Sequence, residues 1–135
     1  MAIFCGTDIV SVERIKNSIN EFGDTFLKRI YTDEEISYCE SRRMSKFQSY
    51  AARFAAKEAA YKALSPENAE GVCWHDAEVL KNANGKPVIV FHGRLKEVVV
   101  ERGIRLDEID ISLSHDDSFA IATIVINNEN TEKKS

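Results

Sequence analysis

The hydrophobic and polar positions of this chain follow two periodicities, which together predict an α+β fold. Apolar residues three and four positions apart predict helices, whereas short apolar or alternating runs predict strands. The predicted helices cover 11–22, 26–30 (a short helix or turn), 33–42, the segment between Ser45 and Ser65, and 95–102. The predicted strands cover 3–10, 74–80, 88–91, 109–115 and 119–126. We therefore expect a single domain with a mostly antiparallel sheet packed on helices.

Local signals set several of the expected boundaries. Thr32 and Glu35 have the spacing of a capping box, in which each side chain satisfies a backbone amide at a helix start. The turn over 82–87 joins two strands into a hairpin. We expect one domain over 1–126, without internal repeats, followed by a polar tail over 127–135.

The long alanine-rich helix carries a carboxylate on its packing face. Glu58 follows Phe54 by four positions, so it shares a helix face with apolar side chains. A carboxylate in such a place is costly unless a cation meets it. Lys62, one turn further on, and a metal ion are the two candidate cations. A solvated Glu58–Lys62 pair is the ordinary alternative.

A second carboxylate, Asp8, lies inside the first predicted strand, whose apolar run predicts a short buried strand. Aspartate is disfavoured in strands, so Asp8 is either satisfied by backbone donors or placed to bind a ligand. Mg²⁺ is commonly held by one or two carboxylates together with water and substrate phosphates. Asp8 and Glu58 are therefore a minimal candidate magnesium site, although pairs of this kind are frequent in globular proteins.

Composition narrows the class of protein. Hydrophobic residues make up 44% of the chain and charged residues 30%, as in soluble globular proteins, and no apolar run is long enough to span a bilayer. No basic segment followed by an apolar one begins the sequence, so we expect no secretory signal. Cys5, Cys39 and Cys73 lack the spacing of a disulfide framework or a metal site. We expect free thiols, a cytoplasmic location and no membrane partner.

The charge is unevenly distributed. The net charge is −4, yet Arg42, Arg43, Lys46 and Arg53 lie in a stretch without any acidic residue. Such a basic surface suits nucleic acid, a small molecule that carries phosphates, or an acidic protein. Because the chain is acidic overall and shows no nucleic-acid-binding motif, we expect no nucleic-acid partner. Solvated cations on helix faces are the alternative.

Five sequence blocks, in their order and spacing, resemble the holo-acyl-carrier-protein synthase family, the small bacterial 4′-phosphopantetheinyl transferases. The blocks are Gly6–Val10 with Arg14-Ile15, Phe26–Glu35, Ala51–Leu64, Gly85–Pro87 and Ser112–His115. They cover nearly the whole chain, and the Phe-x-x-Lys-Glu-Ala-x-x-Lys pattern is specific. The resemblance implies a phosphopantetheinyl transferase fold. It also implies transfer of 4′-phosphopantetheine from coenzyme A to a serine of apo acyl carrier protein, releasing adenosine 3′,5′-bisphosphate, in support of fatty acid biosynthesis.

By matching position, the resemblance implies a role for each candidate residue. Asp8 and Glu58 are expected to hold Mg²⁺, with Lys62 meeting the phosphate as a point charge or as proton donor to the leaving group. The general base is either a metal-bound water or Glu58 acting through water. The residues implied for coenzyme A are Arg53, Lys46, Gly85, Pro87, Ser112, Ser114 and His115. Without the resemblance, 85–87 is typical of a plain hairpin turn and His115 equally of a structural histidine.

The implied protein partner is acyl carrier protein. Arg14 matches the family position that meets the acidic recognition helix of the carrier, and Lys28 and Arg29 are possible additions. The family usually forms trimers with the coenzyme site between neighbouring protomers, so Ser114 and His115 are expected to act with another chain's Asp8 and Glu58. The main alternative is a non-catalytic module that binds carrier protein or coenzyme A. A second alternative is an unrelated small α+β protein that binds another phosphorylated ligand.

Overall fold

The structure, a computed structural model, describes residues 2–128. The helices and strands are, in order, β1 (Ala2–Ser11), α1 (Val12–Phe22), α2 (Asp24–Ile30), α3 (Asp33–Ser41), α4 (Lys46–Leu64), β2 (Ala77–Lys81), β3 (Pro87–Phe91), α5 (Gly93–Glu101), β4 (Ile109–His115) and β5 (Phe119–Asn128). Short 3₁₀ turns are Arg43–Ser45, Trp74–Asp76 and Leu106–Glu108. Within this range no helix is both long and apolar enough to cross a membrane.

The strands form two antiparallel sheets. β1, β5 and β4 make a three-stranded sheet with β5 in the centre, and β2 and β3 make a separate hairpin. α4 packs across β1 and β5, while α1 and α3 pack against α4 from its sides. The predicted α+β class is confirmed, with the antiparallel strands divided between two sheets.

The central helix α4 lies close to the sheet because small residues face it. Ala55, Ala59 and Ala63 are almost fully buried, so little side-chain volume separates the helix backbone from the strands. Gly6 of β1 lies at the crossing, where a Cβ atom would overlap the carbonyl oxygen of Ala59. Glycine is therefore required at this position by the close approach of two backbones.

The prediction of a buried first strand is wrong for one of its two faces. Gly6 and Val10 face α4 and are buried, whereas Ile3, Cys5 and Ile9 are exposed on the opposite face. An apolar run is typical of a strand covered on both sides. Here the helices of residues 2–128 cover only one side of the sheet, so alternate apolar residues of β1 face outward.

Two strand ends also differ from the predictions. Trp74–Asp76 is a 3₁₀ turn, and the strand predicted from residue 74 begins at Ala77. β5 continues to Asn128, whose Nδ2 donates to the carbonyl oxygen of Arg102 at 3.3 Å. The strand thus includes the first two residues of the predicted polar tail. The remainder of that tail, 129–135, lies outside the described residues.

A buried ion pair joins α3, α4 and β2. Lys57 Nζ lies 2.7 Å from Glu35 Oε1, and the exposed fractions of the two side chains are 1% and 0%. Lys57 also donates to two backbone carbonyl oxygens. Glu35 accepts hydrogen bonds from the backbone amides of Thr32 and Val79, so the predicted capping box is confirmed. These hydrogen bonds offset the cost of removing both charges from water.

Candidate active site

Asp8 and Lys62 form an ion pair where β1 meets α4. Lys62 Nζ lies 2.9 Å from Asp8 Oδ1 and donates to the carbonyl oxygen of Thr7 at 3.1 Å. The alternative Glu58–Lys62 ion pair does not occur within residues 2–128, because Lys62 reaches from the helix to the strand instead. The sequence placed Lys62 one turn from Glu58, but the strand supplies its partner.

Glu58 is half-buried one turn before Lys62 on α4. Its carboxylate has neither a hydrogen bond nor an ion pair among the described residues. Burial raises the pKa of Glu58, the negative charge of Asp8 raises it further, and the positive charge of Lys62 opposes both. Two neighbouring carboxylates, of which only Asp8 is paired with a lysine, form a site that attracts a further cation.

The two carboxylates suit an ion that takes only part of its ligands from protein. Within the part of the chain that the structure describes, no three His, Cys, Asp or Glu side chains are placed to hold a metal. Mg²⁺ in phosphate chemistry is held by one or two carboxylates and takes its other ligands from water and substrate. The donor set of Asp8 and Glu58 therefore fits Mg²⁺ together with a phosphate-bearing substrate.

A groove of 330 Å³ opens beside these carboxylates, and we call it the Arg14 groove. Its lining residues are Asp8, Val10, Arg14, Ile15, Ser18, Phe26, Phe54 and Glu58. Arg14, a residue expected to meet a protein partner, thus shares one surface with Asp8 and Glu58. Phe26 and Phe54 had no predicted role, although Phe54 precedes Glu58 by one helical turn and that spacing predicts proximity.

A second depression, the Trp74 cavity, also borders Glu58. It has a volume of 260 Å³ and is lined by Lys57, Glu58, Tyr61, Val72, Cys73, Trp74, Ala77 and Leu95. The ring of Trp74 stacks on the ring of Phe54, with centroids 4.8 Å apart and 29° between the planes. Glu58 therefore lies between a groove and a cavity that an aromatic stack separates. The sequence did not predict the cavity, because the alternation that begins at Trp74 indicates a strand, whereas Trp74–Asp76 is a 3₁₀ turn.

Arg53 lies apart from Glu58, buried against α3 with 3% of its surface exposed. Its guanidinium carbon is 4.2 Å from the centroid of the Tyr38 ring, which Arg42 and Lys81 also approach. The Nε atom of Arg53 is buried without a hydrogen-bond partner among the described residues. Three cations around one tyrosine, one of them with an unused donor, form a local anion-attracting surface.

Ser112 and Ser114 lie on the other face of the sheet from Asp8. The register of the sheet places Asp8 in one row with Leu113, across the central strand. Because side chains alternate along a strand, the exposed Ser112 and Ser114 face the opposite side of the sheet from Asp8. His115 is exposed at the end of β4. By the same alternation, His115 shares its sheet face with Leu113 and Asp8.

The other predicted binding residues are also spread over the surface. Lys46 pairs with Glu40 at 3.4 Å near the start of α4. The turn 85–87 is fastened to β4 by an ion pair between Lys86 and Asp110 at 2.8 Å. Lys28 and Arg29 are exposed in the last turn of α2 and do not line the Arg14 groove.

Comparison with known proteins agrees with this geometry. A family model described as the 4′-phosphopantetheinyl transferase superfamily matches residues 4–124. Holo-[acyl-carrier-protein] synthase of Koribacter versatilis is 45% identical over 93% of this chain and 98% of its own length. The protein of the same name from Ruminiclostridium cellulolyticum is 43% identical over 93% of this chain and 92% of its own length. The crystal structure of Helicobacter pylori holo-[acyl-carrier-protein] synthase in complex with coenzyme A aligns with a TM-score of 0.77 and 33% identity, covering 91% of this chain and 99% of that one. The chain belongs to the 4′-phosphopantetheinyl transferase superfamily.

Proposed function

We propose that this protein transfers 4′-phosphopantetheine from coenzyme A to a serine of apo acyl carrier protein, giving the holo carrier and adenosine 3′,5′-bisphosphate. The observation that carries the proposal is the Glu58 carboxylate, unpaired among the described residues, which borders a groove shared with Asp8 and Arg14. The names of the relatives support the same reaction. The holo carrier serves fatty acid biosynthesis, and the three free cysteines suit the cytoplasm in which we place the enzyme.

Asp8 and Glu58 are the residues that would hold Mg²⁺. The ion, when bound, neutralises the pyrophosphate of coenzyme A as negative charge develops on the leaving oxygen. Lys62, 2.9 Å from Asp8, brings a positive charge to the same place and donates charge-assisted hydrogen bonds to the leaving phosphate. Its side chain is 52% exposed, so exchange of Asp8 for a phosphate oxygen as its partner costs little.

The acceptor serine arrives on the carrier protein, so the enzyme needs no nucleophile of its own. We propose Glu58, acting through a water molecule, as the general base for the serine proton. Its carboxylate makes no hydrogen bond or ion pair among the described residues, so it is available to accept a hydrogen bond from that water. A carboxylate has two oxygens and can accept several hydrogen bonds, so binding a cation and accepting from water are compatible roles.

The Arg14 groove suits the carrier protein, which is small, acidic and helical. Arg14 supplies positive charge, and Phe26 and Phe54 supply apolar surface beside the acceptor position. Lys28 and Arg29, exposed on the neighbouring helix, extend the positive charge. Charges at the rim of an interface change the association rate and its salt dependence more than the final affinity.

We propose that coenzyme A is bound between neighbouring copies of the chain. Arg53 and Lys46 on one copy would meet the 3′-phosphate, for which the buried, unpartnered Nε of Arg53 offers a donor. The turn 85–87 together with Ser112, Ser114 and His115 would come from another copy and hold the adenosine. Ser112 and Ser114 lie on the face of the sheet opposite Asp8 in their own chain, as the register of the sheet requires.

The outer face of the three-stranded sheet supports a homotrimer. It exposes apolar side chains of the two long strands: Ile3, Ile9, Phe119, Ile121 and Val125. A contiguous apolar patch of this kind marks an interface between proteins. Light scattering during gel filtration should give three times the chain mass, and Ile121→Lys should give the mass of one chain. A wild-type monomer at micromolar concentration would refute the trimer.

The first experiment is intact-mass spectrometry of apo acyl carrier protein after incubation with this protein, coenzyme A and Mg²⁺. We expect the carrier to gain the mass of one phosphopantetheine, and EDTA to abolish the gain. A gain that resists EDTA would contradict the role of Mg²⁺ but not the transfer. Absence of any gain, with binding of coenzyme A retained, would favour a non-catalytic binding module.

A further inference from the structure

The 3₁₀ turn Trp74–Asp76 contacts three helices through three consecutive side chains. The ring of Trp74 stacks on Phe54 of α4. The carboxylate of Asp76 accepts hydrogen bonds from two backbone amides in the first turn of α5. His75, between them, reaches the end of α2. The turn therefore joins the helix that carries Glu58 to two further helices, and His75 alone connects it to α2 by side-chain hydrogen bonds within residues 2–128.

His75 replaces a backbone donor that α2 lacks at its last turn. In a continuing helix the amide of Thr32 would donate to the carbonyl oxygen of Lys28. That amide donates instead to Glu35, in the capping box of α3. His75 Nε2 lies 2.6 Å from the carbonyl oxygen of Lys28 and 3.1 Å from that of Tyr31. Because a carbonyl oxygen can only accept, Nε2 carries the hydrogen that the two oxygens share.

The helix α2 depends on such contacts because it is short. It has seven residues and begins after Gly23, which has no side chain with which to cap the first turn. A helix of this length is not stable by itself in water, so tertiary contacts hold it in place. Leu27 and Ile30 bury one face of α2 in the core. The hydrogen bonds of His75 fix the other feature that packing leaves open, the direction of the C-terminal carbonyl groups.

The same helix contributes to the surface proposed for the carrier protein. Phe26 lines the Arg14 groove, and Lys28 and Arg29 lie in the last turn of α2. His75 binds the carbonyl oxygen of Lys28 itself, so its hydrogen bond acts within that turn. A change in the direction of the turn would move both cations relative to the groove.

We propose that His75 is a positioning residue for the carrier protein, because its hydrogen bonds hold the last turn of α2 in the arrangement that docks the carrier. This inference rests on the proposed function. Without these bonds, the turn would open in a fraction of the molecules, which would then present Lys28 and Arg29 in the wrong place. The apparent dissociation constant for the carrier rises by the inverse of the fraction that remains competent.

His75→Ala tests the proposal through the Michaelis constants of the two substrates. We expect KM for acyl carrier protein to rise about fivefold, the effect of one typical net hydrogen bond. KM for coenzyme A and kcat should stay within about twofold, because Lys57 still holds the carbonyl oxygen of Trp74. His75→Gln should restore KM for the carrier, because its amide group has two N–H donors for the two carbonyl oxygens.

His92→Ala is the matched control. This second histidine is near the same turn, since its amide donates to the carbonyl oxygen of Asp76, but its ring pairs with Glu78 instead of α2. His92→Ala should change neither KM by more than about twofold. A rise in KM for the carrier as large as that of His75→Ala would overturn the proposal, because any loss of a histidine near the turn would then have the same effect.

Hydrogen exchange measured by peptide mass spectrometry tests the structural step directly. In His75→Ala the amides of residues 24–31 should exchange about fivefold faster than in the wild type, and those of α4 should not change. His75→Gln should return the exchange of 24–31 to the wild-type rate. A residue that only stabilises the whole fold would instead accelerate exchange in every helix and would not separate the two KM values.

Three results would overturn the inference while leaving the proposed function intact. They are an unchanged KM for the carrier in His75→Ala, an equal rise in both KM values, and unchanged exchange over 24–31. If His75→Ala does not fold, His75→Asn replaces it, since the shorter amide cannot reach both carbonyl oxygens. Equal KM values for the carrier in His75→Asn and His75→Gln would then overturn the inference. Absence of transfer by the wild type would refute the proposed function instead.

Discussion

Lys57 and Glu58 are consecutive residues of α4, yet their charges serve opposite purposes. The Lys57 ammonium group makes three hydrogen bonds and is closed off from solvent. The Glu58 carboxylate makes none among residues 2–128 and opens onto two depressions. A step of about 100° around the helix therefore separates a charge that joins three elements from a charge left available to a ligand.

The difference between the two residues lies in their partners more than in their burial. Burial lowers the pKa of Lys57 and raises that of Glu58, so it disfavours the charged form of both. For Lys57 the carboxylate of Glu35 opposes this effect at 2.7 Å. For Glu58 the nearest acid, Asp8, adds to it, and only Lys62 opposes it. An incompletely compensated charge on a rigid helix is typical of a functional site.

The largest expected effect is on stability, from Lys57→Met. Removal of the ammonium group leaves Glu35 buried without a cation, and we expect a loss of about 3–5 kcal/mol in the free energy of unfolding. Urea denaturation followed by circular dichroism measures it. The matched control is Lys62→Met, whose half-exposed pair with Asp8 should contribute less than about 1 kcal/mol. Equal losses of unfolding free energy in Lys57→Met and Lys62→Met would show that the buried and the half-exposed ion pair contribute equally to stability.

Glu58→Gln should impair transfer while leaving the fold intact, whereas Lys57→Met is expected to destabilise the fold. Loss of one carboxylate from the proposed ion site should lower kcat/KM by about 10²–10³-fold, as for other losses of transition-state stabilisation. Intact-mass assays of the carrier protein measure the rate, and circular dichroism tests the fold. If the variant keeps wild-type activity at saturating Mg²⁺, Glu58 is neither ion ligand nor base.

Arg14→Glu tests whether the groove side of Glu58 receives the carrier protein. Reversing this charge should raise KM for acyl carrier protein about tenfold and leave KM for coenzyme A nearly unchanged. Lys16→Glu, on the same helix but outside the Arg14 groove, is the control and should have a much smaller effect. Similar changes in both KM values for Arg14→Glu would argue against a docking role.

The smallest expected effect is a pH-dependent stability difference between wild type and Glu58→Gln. Because the folded-state pKa of Glu58 is raised, the folded protein holds this proton more tightly than the unfolded chain. The wild type should therefore lose stability as pH rises from the unfolded-state value of about 4.3 through the raised folded-state pKa. Glu58→Gln should be the more stable protein at pH 7, without Mg²⁺, and the difference should shrink below about pH 4. The opposite order at pH 7 would show that the Glu58 charge is well compensated.

Much of the fold follows from local signals. The periodicity of apolar residues predicts each long helix and strand, and the spacing of Thr32 and Glu35 predicts the cap of α3, as the structure confirms. The exposure of one face of β1 does not follow from local signals, because it depends on which elements cover the sheet. The same applies to Glu35, whose predicted capping role conceals its second role as the partner of Lys57.

Local sequence patterns were enough to predict the fold class, the resemblance to a transferase family, and the choice of Asp8, Glu58 and Lys62 as candidate site residues. Each of these depends on residue type and on short spacings along one helix or strand. The pairing of Lys62 with Asp8, and the stacking of Phe54 on Trp74 between a groove and a cavity, became visible in the folded structure alone. These contacts join residues 20 to 54 positions apart. They arise from the packing of α4 against the strand and the loop, which no local pattern encodes.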